Sequence, residues 1–148
     1  MTVDSRQKGQ RGEYLVRDLL RKHTGLAWER VPASGALSYL KADLYVPHAN
    51  NRFAVEVKNY EEESINSKLL TNKSCNFFGW WEKIIEQAAL RDQEPILFFK
   101  HNRSKIFVAT KEKPINISKY FHLNWLDCYV CVAEEWLEKE TVEWLRVS

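Results

Sequence analysis

The run Phe53-Ala-Val-Glu-Val-Lys-Asn59 constrains this chain more than any other, because it is built from β-forming residues yet carries two opposite charges. Strand alternation sends Phe53, Val55 and Val57 to one face and Ala54, Glu56 and Lys58 to the other, with Glu56 and Lys58 roughly 7 Å apart along the strand. Charge in a sheet is costly unless it finds a partner. Upstream, ADLYV (42–46) is a second short β-forming segment, and PHANN (47–51) supplies the turn residues of a hairpin between the two. That pairing can bring Asp43 to the rim that holds Glu56 and Lys58. Two carboxylates and one ammonium so placed either share a proton or hold a cation, and Mg2+, which takes hard oxygen ligands, fits. The competing reading is a structural ion pair in an ordinary α/β domain.

The rest of the chain supplies a scaffold for such a rim. Residues 8–23 predict a helix with Val16, Leu19, Leu20 and His23 as its stripe and Gly25 as its stop; Glu13 lies in line with Val16 and Leu20 and faces partly inward. WERV (28–31) reads as a short strand and PASGAL (32–37) as a loop. A polar stretch after Tyr60 leads to a second helix at about 75–91, then strand PILFFK (95–100), the turn HNRS and strand KIFVAT (105–110). Farther on, ISKYFHLNWL is ambiguous, DCYVCV suggests a strand, and AEEWLEKETVEWLR predicts a final helix carrying Trp136, Leu137, Val142, Trp144 and Leu145.

Residues 1–60 hold ten Lys/Arg against six Asp/Glu, and residues 61–148 hold twelve against fourteen, so positive charge gathers toward the N-terminal half and suits a polyanion. Cys128 and Cys131 have CxxC spacing, but on a strand positions i and i+3 point to opposite faces, so buried thiols are expected rather than zinc. The six tryptophans are expected in the core and at a dimer contact rather than as base-stacking platforms. No apolar run reaches the roughly 18 residues of a membrane span, which predicts a soluble protein acting in the cytoplasm. One domain over 1–148 is expected, with a core at about 8–109 and the less regular 110–148 appended.

In order, Glu13 on helix one, SG in a loop, Asp43 and then Glu56-x-Lys58 resemble the PD-(D/E)xK nuclease superfamily. KGQRGEYLVRDLL, RVPASG, AD and FAVEVKNY are more narrowly similar to archaeal-type Holliday junction resolvases, which phages also carry. The resemblance covers about residues 8–109. It departs at Ala42, where the superfamily has proline, and at Glu61, Glu62 and Glu63, whose charge would repel a phosphate backbone. It implies a restriction-endonuclease-like α/β fold, with a central mixed β-sheet of about five strands flanked by helices. It also implies catalytic roles for Glu13, Asp43, Glu56 and Lys58, with Mg2+ (Mn2+ able to substitute) held by Asp43, Glu56 and the Val57 carbonyl and Glu13 in support. Ser34, Arg30, Lys8 and Arg11 match positions that meet the DNA backbone. The implied protein is a homodimer that nicks a four-way junction symmetrically. The alternatives are a related nuclease acting on non-junction DNA and a non-catalytic nucleic-acid-binding module.

Overall fold

The computed structural model describes residues 5–32, 42–71 and 75–147. Its axis is β3 (Phe53–Asn59), which pairs in parallel with β4 (Glu94–Lys100) from Phe53 opposite Glu94 to Asn59 opposite Lys100. Parallel neighbours need a crossover, and the apolar-sided helix α2 (Asn76–Leu90) supplies it. The five residues Pro95–Phe99 are all buried, as expected of a central strand covered on both faces.

Antiparallel strands extend the sheet on both sides. Toward one edge lie β2 (Leu44–Tyr45) and β1 (Glu29–Arg30); toward the other lie β5 (Phe107–Thr110), then β7 (Cys128–Val132), then β6 (Phe121–Leu123). The hairpin expected between ADLYV and RFAVEVK is present, with Leu44 opposite Val55. The Asn51 side chain closes its turn, accepting from the Val46 amide at 2.8 Å and donating to the Val46 and Ala49 carbonyls. The mixed sheet flanked by helices is therefore the α/β, restriction-endonuclease-like layout implied by the resemblance.

Two points differ from expectation. The sheet has seven strands rather than about five, because the C-terminal third adds β7 and the ambiguous FHL segment pairs with it as edge strand β6. The last helix, α3 (Ala133–Lys139), stops two turns early. At its end the Glu140 carboxylate accepts the backbone amides of Ile115 and Asn116, the second at 2.8 Å. The chain then runs extended, with Arg52 N donating to Trp144 O at 3.0 Å. That path places Trp144 edge-on to both Trp28 and Trp136, at 5.3 and 5.8 Å between ring centroids. Burying this indole contributes more than two further helical turns on the surface would.

The sheet separates two cores. Val55, Val57, Ile96 and Phe98 face α1 (Ser5–Thr24), whose Val16 and Leu20 are buried there, together with Trp136 of α3. Ala54, Leu97 and Phe99 face Phe77, Trp81 and Ile84 of α2. Cys131 lies in the first core and Cys128 in the second, as the CxxC reading required, and burial pushes both thiols well above the usual range, Cys131 to about 12. Trp28, Trp81, Trp136 and Trp144 are buried, whereas Trp125 is exposed.

Candidate active site

The brevity of β2 creates the site. Asp43 still donates its backbone N–H to Val55 O at 2.8 Å. The next amide of β3 on that edge, Val57, donates to a side chain, Asp43 Oδ2, at 2.7 Å. Because the N–H and C=O of one strand residue point the same way, the Val57 carbonyl is presented at the same edge.

Glu56 and Lys58 share the α2 side of β3 with Ala54, and Glu56 Oε1 lies 3.6 Å from Lys58 Nζ. Asp43 and Glu56 lie close enough for each to perturb the other, and both ionise less readily than free acids. Burial is the main reason that the Asp43 pKa rises to about 7, and the charge of Glu56 adds to it. Glu56 is also raised, first by burial, against the opposing field of Lys58 and, more weakly, Lys83 of α2.

Glu13 arrives from the other layer. Gly12, immediately before it, lies so close to β3 that a Cβ there would sit 2.7 Å from Asn59 Cβ, and Asn59 Nδ2 donates to Lys8 O at 3.0 Å. Only glycine lets α1 approach this closely. Glu13 accepts from Arg30 Nε at 3.0 Å. Arg30 also donates to Tyr14 Oη at 3.1 Å and covers the Tyr14 ring. The Glu13 pKa is raised, by burial first and then by the Asp43 charge, although Arg30 opposes the shift.

These side chains line one open cleft of about 600 Å3, shared with Lys8 and flanked by Glu61 and Glu62. Lys8, Glu13, Asp43, Glu56, Val57 and Lys58 are therefore brought together; Arg30 reaches the group through Glu13, Arg11 stands on the exposed side of α1, and Ser34 lies outside the described residues. Sequence reading missed Gly12 and Asn59. A glycine inside a helical pattern, costing about 1 kcal/mol against alanine, is the signal that could have pointed to the close packing.

Two partly buried carboxyls, both with raised pKa, that open onto a cleft fit a divalent cation, with Asp43, Glu56 and the Val57 carbonyl as hard oxygen donors. Glu13 stands farther out. Among the described residues, three such ligand atoms come within 4.8 Å of one another only at His23, Glu134 and Glu138, so Glu13 does not close a three-acid set with Asp43 and Glu56.

Residues 4–147 match the family model described as "Phage putative PDDEXK endonuclease". The chain is 37% identical over 156 aligned positions to Protein D14 of Escherichia phage T5, covering 97% of this chain and 98% of that protein. Among solved structures it is similar to Hjc, a Holliday junction resolvase from the archaeal hyperthermophile Archaeoglobus fulgidus, at 16% identity and a TM-score of 0.45, over 88% of this chain and 93% of that one.

Proposed function

This chain belongs to the phage PDDEXK endonuclease family, and on that premise we propose that it is a divalent-metal-dependent DNA endonuclease that resolves four-way junctions by paired symmetric nicks. The observation that carries the reading is the gathering of Asp43, Glu56 and Glu13 in one open cleft, with Lys58 Nζ 3.6 Å from Glu56. The narrower choice of a junction rests on the resemblance of KGQRGEYLVRDLL, RVPASG and FAVEVKNY to junction resolvases.

Phosphodiester hydrolysis needs a nucleophile at neutral pH and a sink for the negative charge that builds on phosphorus and the departing oxygen. When bound by Asp43, Glu56 and the Val57 carbonyl, Mg2+ or Mn2+ supplies that Lewis acidity. Lys58 orients the attacking water and its ammonium favours the hydroxide form. Glu56 helps aim the Lys58 ammonium, since the two lie in one ion pair. Glu13, fixed by Arg30, holds water on the far side of the cleft. Lys8, Arg11, Arg30 and Ser34 contact the sugar-phosphate backbone. Symmetric nicking needs two such sites facing two strands, so the working unit is a homodimer acting in the cytoplasm of the host cell; no helix among the described residues is long and apolar enough to cross a membrane.

Incubation of labelled four-way junction, linear duplex, single strand and flap DNA with Mg2+, Mn2+ or EDTA tests the proposal. Paired nicks on the junction alone are expected, lost with EDTA and in Asp43→Asn and Glu56→Gln, while junction binding persists. Equal cutting of linear duplex would replace the resolvase reading with a nuclease of another substrate. Unchanged cutting by both variants would remove the site assignment.

A further inference from the structure

Lysine and arginine side chains gather at one place beside the reacting cleft, which Lys8 borders. Lys100, the last residue of β4, has the same strand parity as Ile96 and Phe98, which pack on α1, so its side chain rises on the α1 face. There it meets the fields of Lys8 and Arg11, which together with burial lower its pKa. Lys100 Nζ donates only to the His101 carbonyl, at 3.1 Å, and Lys8 Nζ hydrogen-bonds to Asn102 Oδ1. Among the described residues, none of the three has a carboxylate within 4.0 Å. Like charges so placed repel, and an anion relieves that repulsion.

The adjoining hairpin continues the pattern. Arg103, at a positive φ of 64°, and Lys105 are exposed at its tip, again without ion pairs. Asn102 ties this hairpin to α1 through Lys8 and to the cleft wall through Glu61 O at 3.2 Å. Glu61 and Glu62 on that wall repel a phosphate backbone, so they fence one exit from the cleft while the basic group marks another.

We propose that Lys8, Arg11 and Lys100, continued along the β4–β5 hairpin by Arg103 and Lys105, form a phosphate-binding track for the DNA arm that leaves the cleft. Lys100 lies on the sheet face opposite Glu56 and Lys58 while Lys8 borders the cleft they line, so the nucleic acid straddles the C-terminal edge of β3 and β4. The track rests on the nuclease reading for the position of the scissile phosphate. Lys100 and the hairpin cations act on where the DNA lies, not on the reacting atoms.

The test compares Lys100→Gln/Arg103→Gln with Lys100→Arg. Binding of fluorescent duplex and four-way junction is followed by anisotropy across a salt series in an Asp43→Asn background, and cleavage kinetics are followed in the active protein. Loss of two phosphate contacts should weaken Kd by about tenfold or more and make the slope of log K against log salt shallower by about 2. KM should rise with kcat within about twofold, and Lys100→Arg should restore affinity because it keeps the charge. Unchanged Kd and salt slope, or a fall in kcat at constant KM, would overturn the track. If the unmodified protein binds DNA but cuts none with any divalent ion, while the variant still loses affinity, the nuclease reading falls and the track stands. If the unmodified protein binds no DNA, both fall.

Discussion

The two ends of the central strand pair handle charge in opposite ways. At the N-terminal end of β3, Arg52 sits between acids that match it, bonding Glu94 at 2.6 Å and Glu112 at 3.1 Å and donating to the Glu143 carbonyl. At the C-terminal end, carboxyls stand beside carboxyls and cations beside cations: burial and the Glu56 charge raise the Asp43 pKa, and burial with the fields of Lys8 and Arg11 lowers that of Lys100. Matched charge with an aromatic seal of Trp28, Trp136 and Trp144 is structure. Unmatched charge at an open cleft is capacity for a ligand.

Breaking the cleft end should have the largest effect. Asp43→Asn or Glu56→Gln should lower single-turnover cleavage by about a thousandfold or more, the scale of losing an electrostatic group at the reacting centre, while circular dichroism stays unchanged. At the other end, Trp144→Ala should cost about 3–5 kcal/mol in urea unfolding. The cleavage rate of its folded fraction should stay normal; a comparable loss of rate would show the two ends to be coupled. Gly12→Ala lies between these extremes. The 2.7 Å approach to Asn59 Cβ forces α1 outward, at about 1–3 kcal/mol, and moves Glu13, so both stability and kcat should fall. Adding Asn59→Gly should recover part of each.

Titration sharpens the contrast further. With a pKa of about 7 folded against 3.8 as the reference, Asp43 binds more protons in the folded than in the unfolded state between those values, so its contribution to stability falls as pH rises through that window. The metal-free protein should therefore melt lower at pH 8 than an Asp43→Asn variant. Added Mg2+ should narrow that gap, and cleavage should increase as pH passes about 7. The smallest effect is expected at Arg52, where Arg52→Met should cost about 1 kcal/mol by denaturation, the upper scale of a partly exposed ion pair, with cleavage unaltered.

Much of the reacting end was legible in the sequence because strand periodicity is rigid. Once FAVEVK is a strand, Glu56 and Lys58 must share a face, and a tight hairpin leaves Asp43 few places other than the rim. Helix one was legible as an amphipathic stripe, but its closeness to β3 depends on Gly12 meeting Asn59 across forty-odd residues of chain, a contact no local pattern encodes. The basic trio was half visible for the same reason: Lys8 and Arg11 stood out in a charged helix, whereas Lys100 looked like the polar end of a buried strand until register set it beneath them. The final helix was overextended because helical spacing of Trp136 and Trp144 mimics a stripe that the Glu140 carboxylate and the Trp144 packing in fact interrupt.

The bond from the Val57 amide to Asp43 Oδ2 has a practical corollary. A carboxylate that accepts a strand amide cannot change its proton or acquire a cation without altering the electron density that amide senses. The Val57 1H–15N resonance is thus a built-in indicator of occupancy, and a titration followed at that one peak would read the affinity of the centre without any DNA in the tube.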